Sequence, residues 1–260
     1  MSELEQLQQI LKSYGKVAIA YSGGVDSNFL FQVAKRTLGV DNVLAVLCEG
    51  AMMPKEEIEN AKKLLEGGRY QVIPVDVFEV DAFLHNRKDR CYHCKIGVMS
   101  KVKEAAKEQG FEYVLDGNNK DDGAGNVYRP GMKACEELGI LSPLAKAGLT
   151  KQMIRDYSKE LDISTYNKPS NACLASRFPY DTLLTKEKLE LASKAENLLH
   201  VRGMGYVRVR IHDNIARIEV EKENFNQVIS DETLVDEMKA LGFDFVTLDL
   251  KGISSGSFDK

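Results

Sequence analysis

The chain has 260 residues, of which 43% are hydrophobic and 28% charged, enough to bury a sizeable core and unlike a disordered or fibrous composition. A formal net charge of −4 gives no global field toward nucleic acid or an anionic membrane, so neither is expected as a partner without a local basic patch. No apolar run of about 18 residues and no charged-then-apolar leader stands in the sequence, which predicts a cytoplasmic protein.

The first predicted strand, Val17-Ala18-Ile19-Ala20, runs through Tyr21-Ser22-Gly23-Gly24-Val25-Asp26-Ser27 into a helix-like stretch, residues 28–34. Small residues between strand and helix let the backbone approach a pyrophosphate. The turn amides then point at it, and the helix dipole favours its charge. The spacing is not G-x-x-x-x-G-K-[ST], which disfavours an enzyme that transfers the γ-phosphate. Ser-Gly-Gly-x-Asp-Ser resembles instead the signature of the PP-loop ATP pyrophosphatases, which cleave ATP between the α- and β-phosphates and hand AMP to a carboxylate or carbonyl oxygen. The competing reading is a Gly-rich turn that binds nothing.

Residues 43–47 predict the next strand, 55–65 a charged helix, 70–75 a strand, and 95–108 a helix. Tyr113-Val114-Leu115 then leads into Asp116-Gly117-Asn118-Asn119. Short apolar strands alternating with amphipathic helices predict an α/β fold built on a doubly wound parallel sheet, with ligands at the carboxyl ends of its strands. Residues 22–27 and 116–122 both fall there. From 169 to 179 the pattern breaks into a Pro/Ser/Asn-containing loop. Beyond it come a helix at 186–199, a hairpin at 206–220, two further helices and a last strand at 243–248. This order predicts a smaller C-terminal α+β domain with the boundary near Leu184, giving domains 1–183 and 184–260. The tail, residues 254–257, reads as mobile.

Five cysteines in such a chain point to metal or redox chemistry rather than a disulfide framework. Cys91-Tyr92-His93-Cys94 is a C-x-x-C able to grip one metal or one cluster face, and no second such pair follows. Cys48 and Cys135 read as small core residues. Cys173 lies in an irregular loop, Asn171-Ala172-Cys173-Leu174-Ala175-Ser176-Arg177, with Arg177 near enough in sequence to favour a thiolate. Three thiolates around a [4Fe–4S] cluster leave one iron open. A structural zinc on Cys91, Cys94, Cys173 and His93 is the alternative, and a thioredoxin-like pair fits less well.

In Tyr206-Val207-Arg208-Val209-Arg210-Ile211-His212 the period of two puts Arg208, Arg210 and His212 on one face. A two-residue turn at Asp213-Asn214 sets Arg210 opposite Arg217 and Arg208 opposite Glu219. Facing arginines repel unless an anion lies beside them, and a phosphate would serve. The alternative is a solvated face with Arg208–Glu219 as a surface pair.

Taken together, Ser22-Gly23-Gly24-Val25-Asp26-Ser27, residues 116–122, Tyr128-Arg129-Pro130-Gly131, Cys173-Leu174-Ala175-Ser176-Arg177 and Arg208-Val209-Arg210-Ile211-His212 resemble the LarE family. These are ATP-dependent sulfur transferases of nickel-pincer nucleotide biosynthesis. The resemblance covers nearly the whole chain. It implies that a carboxylate of pyridinium-3,5-biscarboxylate mononucleotide is adenylated and that sulfur then displaces AMP, leaving a thiocarboxylate. It implies that Ser22, Gly23, Gly24, Asp26 and Ser27 hold pyrophosphate and Mg2+, with Asn118, Asp121 and Asp122 near the nucleotide. Lys95, Ser176 and Arg177 would serve at the adenylate, and Arg208 and Arg210 would bind the substrate phosphate. Cys91, Cys94 and Cys173 place the chain with members that carry sulfide on a [4Fe–4S] cluster. Other members consume the sulfur of one cysteine, matching Cys173. A sulfide source and a homo-oligomer built through residues 184–260 are further expectations. Competing readings are a tRNA thiolase, an amidotransferase or NAD-synthetase-like ligase, and a degenerate PP-loop binding module.

Overall fold

The computed structural model describes residues 1–123, 130–169 and 172–254. Helix α1 (Glu3–Tyr14) starts at Ser2, whose Oγ accepts from the Glu5 amide while the Glu5 carboxylate accepts from the Ser2 amide. The chain then alternates through β1 (Val17–Tyr21), α2 (Val25–Leu38), β2 (Val43–Glu49), α3 (Lys55–Leu64) and β3 (Arg69–Pro74). After the short helix α4 (Asp81–Leu84) come α5 (Arg90–Glu108), β4 (Tyr113–Leu115), α6 (Pro130–Glu137), α7 (Pro143–Lys146) and α8 (Lys151–Glu160). Helix α9 (Lys186–His200), the hairpin β5 (Val207–His212) and β6 (Ile215–Val220), helices α10 (Phe225–Ser230) and α11 (Leu234–Ala240), and β7 (Phe245–Leu248) complete the order.

Strands β1 to β4 form one parallel sheet in the order β3-β2-β1-β4, as the alternating pattern predicts. Its apolar strands are buried on both faces. Val17, Ile19, Val43, Ala45 and Leu47 pack with Phe29, Leu30 and Phe31 of α2 and with Leu7 and Leu11 of α1. The chain winds outward from β1 to β3 and returns to pair β4 on the other side of β1. The direction of winding therefore reverses between β1 and β4, which opens a crevice at the carboxyl ends of those strands. The turn after Tyr21 and the loop after Leu115 lie there.

The chain divides into two compact units, residues 1–76 with 89–171, and residues 77–88 with those from 172 on. The small unit thus begins before the expected boundary near Leu184 and also takes in the segment around α4. Backbone and side-chain bonds explain this. The Leu184 amide donates to Leu84 O, and Asn86 Nδ2 donates to the carbonyls of Phe178 and Pro179. The small unit carries a three-stranded sheet, β5-β6-β7, in which β6 pairs antiparallel with β5 and parallel with β7. The hairpin has the expected register, with Arg210 opposite Arg217 and Arg208 opposite Glu219, around a turn where Asp213 takes φ 53°. Tyr128, Arg129, Ser170, Asn171 and, of the tail expected to be mobile, residues 255–257 lie outside the described residues.

Candidate active site

The turn from β1 to α2 is built by its own small side chains. Ser27 Oγ accepts from the Ser22 amide and donates to Gly24 O, and the Ser22 and Ser27 hydroxyls lie 3.0 Å apart. Gly23 takes φ 70°, and a Cβ there would stand 2.7 Å from Ala61 Cβ on α3. A Cβ on Gly117 would likewise stand 3.0 Å from the Ser27 amide nitrogen, so glycine at 117 lets the loop after β4 close on the first turn of α2, as glycine at 23 lets the turn pack on α3. Gly24 caps α2 without any side-chain hydrogen bond, which leaves the first-turn amides facing the crevice for an anion.

Asp26 stands in that first turn. Its Oδ2 accepts from Lys151 Nζ at 2.5 Å, while its Oδ1 is buried without a hydrogen-bond partner. A buried carboxylate oxygen lacking a donor suits a hard cation such as Mg2+. The Lys151 amide, opening α8, donates to Asp121 Oδ2, so one lysine joins Asp26 to the loop that follows β4. Within that loop Asp116 is saturated by the Asn118 amide and side chain and by Ser142 Oγ, and Asp122 accepts from the Asn119 amide. A second ammonium, Lys168 Nζ, donates to Gly23 O at 3.0 Å and pairs with Glu57 of α3 at 2.7 Å. Both lysines escaped the sequence reading. Thr150, which caps α8 by accepting from the Met153 amide, with Ile154 and Tyr157 spaced behind it, was the available signal for Lys151.

Helix α5 begins at Arg90 rather than near Lys95, so Cys91 and Cys94 lie on its first turns instead of in the segment before it. Three residues apart on a helix, they share a face. Cys91 is exposed, Cys94 half-buried and Cys173, in the small unit, exposed; no cysteine is in a disulfide. His93 Nε2 lies 3.2 Å from Asp89 Oδ2. In donor type and access the thiols fit an iron–sulfur cluster. Among the described residues, however, no three His, Cys, Asp or Glu side chains stand together as a metal site. Cys48 and Cys135 are buried as expected, and burial pushes each thiol up to about 11 against the pull of the Lys95 ammonium. The Asp116 carboxylate adds to the rise at Cys135.

In the small unit the arginines of β5 are buried. Arg208 is 5% exposed and Arg210 2%, which removes the solvated-face alternative. Glu219, fully buried, accepts from Arg210 Nε at 3.1 Å and from Arg217 Nη2 at 3.0 Å. The conflict between the facing arginines is thus settled by the protein's own carboxylate, reached diagonally rather than straight across from Arg208. Burial holds Arg210 below its usual pKa despite Glu219, and the nearby Arg208 and Arg177 add to that. Arg208 differs from its neighbours. Its donors meet only Ser254 O at 3.0 Å and the Tyr206 hydroxyl at 3.1 Å, so among the described residues no carboxylate pairs with it. Arg177 is committed to Glu196 by a two-pronged contact of 2.6 and 2.9 Å and also donates to Ala172 O and Ser176 Oγ. That geometry clamps the segment carrying Cys173 rather than presenting a guanidinium to an adenylate. Ser176 O, in turn, accepts from Arg210 Nη1 at 2.5 Å.

A family model described as NAD synthase matches residues 3–104. An uncharacterized protein of Synechocystis is 36% identical over 100% of this chain and 97% of its own length. The pyridinium-3,5-bisthiocarboxylic acid mononucleotide synthase of Lactiplantibacillus plantarum is 36% identical over 95% of this chain and 90% of its own. With the phosphate turn, the buried arginines and this end-to-end similarity together, the chain belongs to the LarE family of ATP-dependent sulfur transferases, an ATP- and Mg2+-using branch of the PP-loop enzymes.

Proposed function

We propose that this chain adenylates a carboxylate of pyridinium-3,5-biscarboxylate mononucleotide and replaces the activated oxygen with sulfur, giving a thiocarboxylate, AMP and pyrophosphate. The observation that carries the reading is Arg208, a buried guanidinium whose partners are neutral. A buried cation without a counter-charge is costly, and a phosphomonoester bound in two prongs supplies the missing charge.

A carboxylate is a poor electrophile, and joining it to AMP turns its oxygen into a phosphate leaving group. The glycines and hydroxyls of residues 22–27 hold the phosphates, Asp26 with its unpaired oxygen holds Mg2+, and Asn118, Asp121 and Asp122 shape the nucleotide side of the crevice. Lys95 offsets charge developing on the departing groups. Arg208 binds the substrate phosphate with Arg210 behind it, while Arg177 and Ser176 fix the position of Cys173. Cys91, Cys94 and Cys173 are the residues that would hold a [4Fe–4S] cluster, and such a cluster would supply the sulfide that displaces AMP. The three thiols are accessible for this role, and an external sulfide source reloads the site. The small unit serves substrate binding and self-association, supported by its exposed Ile229, Phe245 and Leu250.

The test is anaerobic incubation with ATP, Mg2+, sulfide and the mononucleotide. AMP, pyrophosphate and thiocarboxylate are expected in equal amounts. ADP as the product overturns the assignment.

A further inference from the structure

We infer that Lys168 is a pyrophosphate-binding residue and that Glu57 sets the strength of its grip. This deepens the ATP-cleaving reading and rests on it. Nothing in the signature Ser-Gly-Gly-x-Asp-Ser points to Lys168, which lies 145 positions from Gly23 in sequence yet donates to the carbonyl of that glycine. The carbonyl oxygen and the Gly24 nitrogen belong to one trans peptide and are about 2.2 Å apart, so the ammonium lies no more than about 5 Å from the Gly24 nitrogen, on the carbonyl side of that peptide. It therefore stands at the edge of the turn whose amides receive the anion.

An ammonium has three N–H donors. Two are taken, by Gly23 O and Glu57 Oε2, and among the described residues the third meets no acceptor. The pair is also sheltered, with Lys168 and Glu57 side chains only 18% and 20% exposed, so water screens it incompletely. Helix α3 sets this arrangement. Glu57 and Ala61 are one turn apart on one face, and Ala61 is the residue that crowds Gly23. Packing that fixes the turn therefore also fixes the carboxylate beside it.

A bare glutamate at a phosphate site would repel its ligand. Paired with Lys168 it is neutralised, and the remaining N–H of the lysine turns toward a phosphate oxygen. The carboxylate then weakens the grip enough to let pyrophosphate leave after ATP is cleaved. Lys151 stands differently, since its partner is Asp26, the Mg2+ ligand itself.

The experiment measures equilibrium binding of inorganic pyrophosphate with Mg2+, and separately of AMP, to the full chain and to Lys168→Ala, Lys168→Arg, Glu57→Gln and the double variant Glu57→Gln/Lys168→Ala. Lys168→Ala is expected to weaken pyrophosphate about tenfold or more, the scale of a charged hydrogen bond, and Lys168→Arg to recover part of the loss. Glu57→Gln is expected to tighten pyrophosphate and slow its release, with AMP affinity unchanged throughout. The double variant decides the matter. It should still bind pyrophosphate more weakly than wild type, because the cation is missing. A double variant equal to wild type would mean that Lys168 only neutralises Glu57, and equal losses for AMP and pyrophosphate would mean that the turn has collapsed; either overturns the inference. Wild-type protein that binds no pyrophosphate overturns the ATP-cleaving reading as well, and so the two failures are told apart.

Discussion

Lys151 reaches Asp26 across 125 positions of sequence and holds one of its carboxylate oxygens at 2.5 Å while the other stays buried and unpaired. The divided environment makes Asp26 the most sensitive point of the turn. Asp26→Ala should stop formation of AMP and pyrophosphate. Melting should shift little, because the ion pair is partly exposed and such pairs contribute about 0–1 kcal/mol. Product analysis by chromatography beside a thermal melt checks both halves. A large fall in stability would reassign Asp26 to a structural part.

The arginines of β5 should separate on mutation. Arg208→Ala removes a guanidinium with neutral partners, so it should weaken substrate binding by about 1.5–3 kcal/mol and leave the melt near wild type. Arg210→Ala strips a buried partner from Glu219 and should cost about 3–5 kcal/mol of stability. Substrate titration and denaturant unfolding of both variants test this. Equal effects on stability would show that Arg208 is structural too.

The cysteines offer a visible readout. Anaerobic protein reconstituted with iron and sulfide should be brown, and Cys91→Ala, Cys94→Ala and Cys173→Ala should each bleach it while ATP cleavage persists, since the phosphate contacts involve no thiol. Cys48→Ala and Cys135→Ala should keep the colour. Intact mass after turnover gives the contrary result its form: loss of the Cys173 sulfur in step with product would make that cysteine the consumed donor and remove the cluster from the reaction.

Alkylation should sort the same five residues. Only a thiolate reacts, and a thiol pushed up to about 11 by burial is ionised in about one molecule per thousand at pH 8. Exposed Cys91 and Cys173 should label quickly in the native protein, whereas Cys48 and Cys135 should label only on unfolding or as the pH approaches 11. Time-resolved mass spectrometry of peptides measures the rates, and fast labelling of Cys135 would contradict its buried placement on α6.

Much of this was legible in the sequence because it depends on local pattern. The apolar runs before Tyr21 and at residues 43–47 could only be buried parallel strands, and the glycines at 23 and 24 announced a turn that an anion could approach. The alternation from Arg208 to His212 gave the correct register with β6. The Arg208–Glu219 pair, offered there as the alternative, does not form, since long side chains reach diagonal neighbours and Glu219 meets Arg210 and Arg217. Arg177 was read from its distance to Cys173 along the chain, while its true partner, Glu196, is on another helix. Lys151 and Lys168 were missed for the same reason: sheet topology, not spacing, brings them to the turn.

The position of Asn86 bears on how the molecule is made. It is fully buried at φ 48°, with its side-chain amide spent on two carbonyls from residues 178 and 179 and its own carbonyl accepting from Asp181. During synthesis residues 77–88 emerge long before those acceptors exist. The Asn86 side-chain amide must therefore stay with water until more than half of the remaining chain has followed. A fragment that starts at residue 172 lacks this segment altogether. A chain in which 77–88 are joined directly to 172, with 89–171 taken out, should let the small unit form as soon as it leaves the ribosome, turning a late assembly step into an early one.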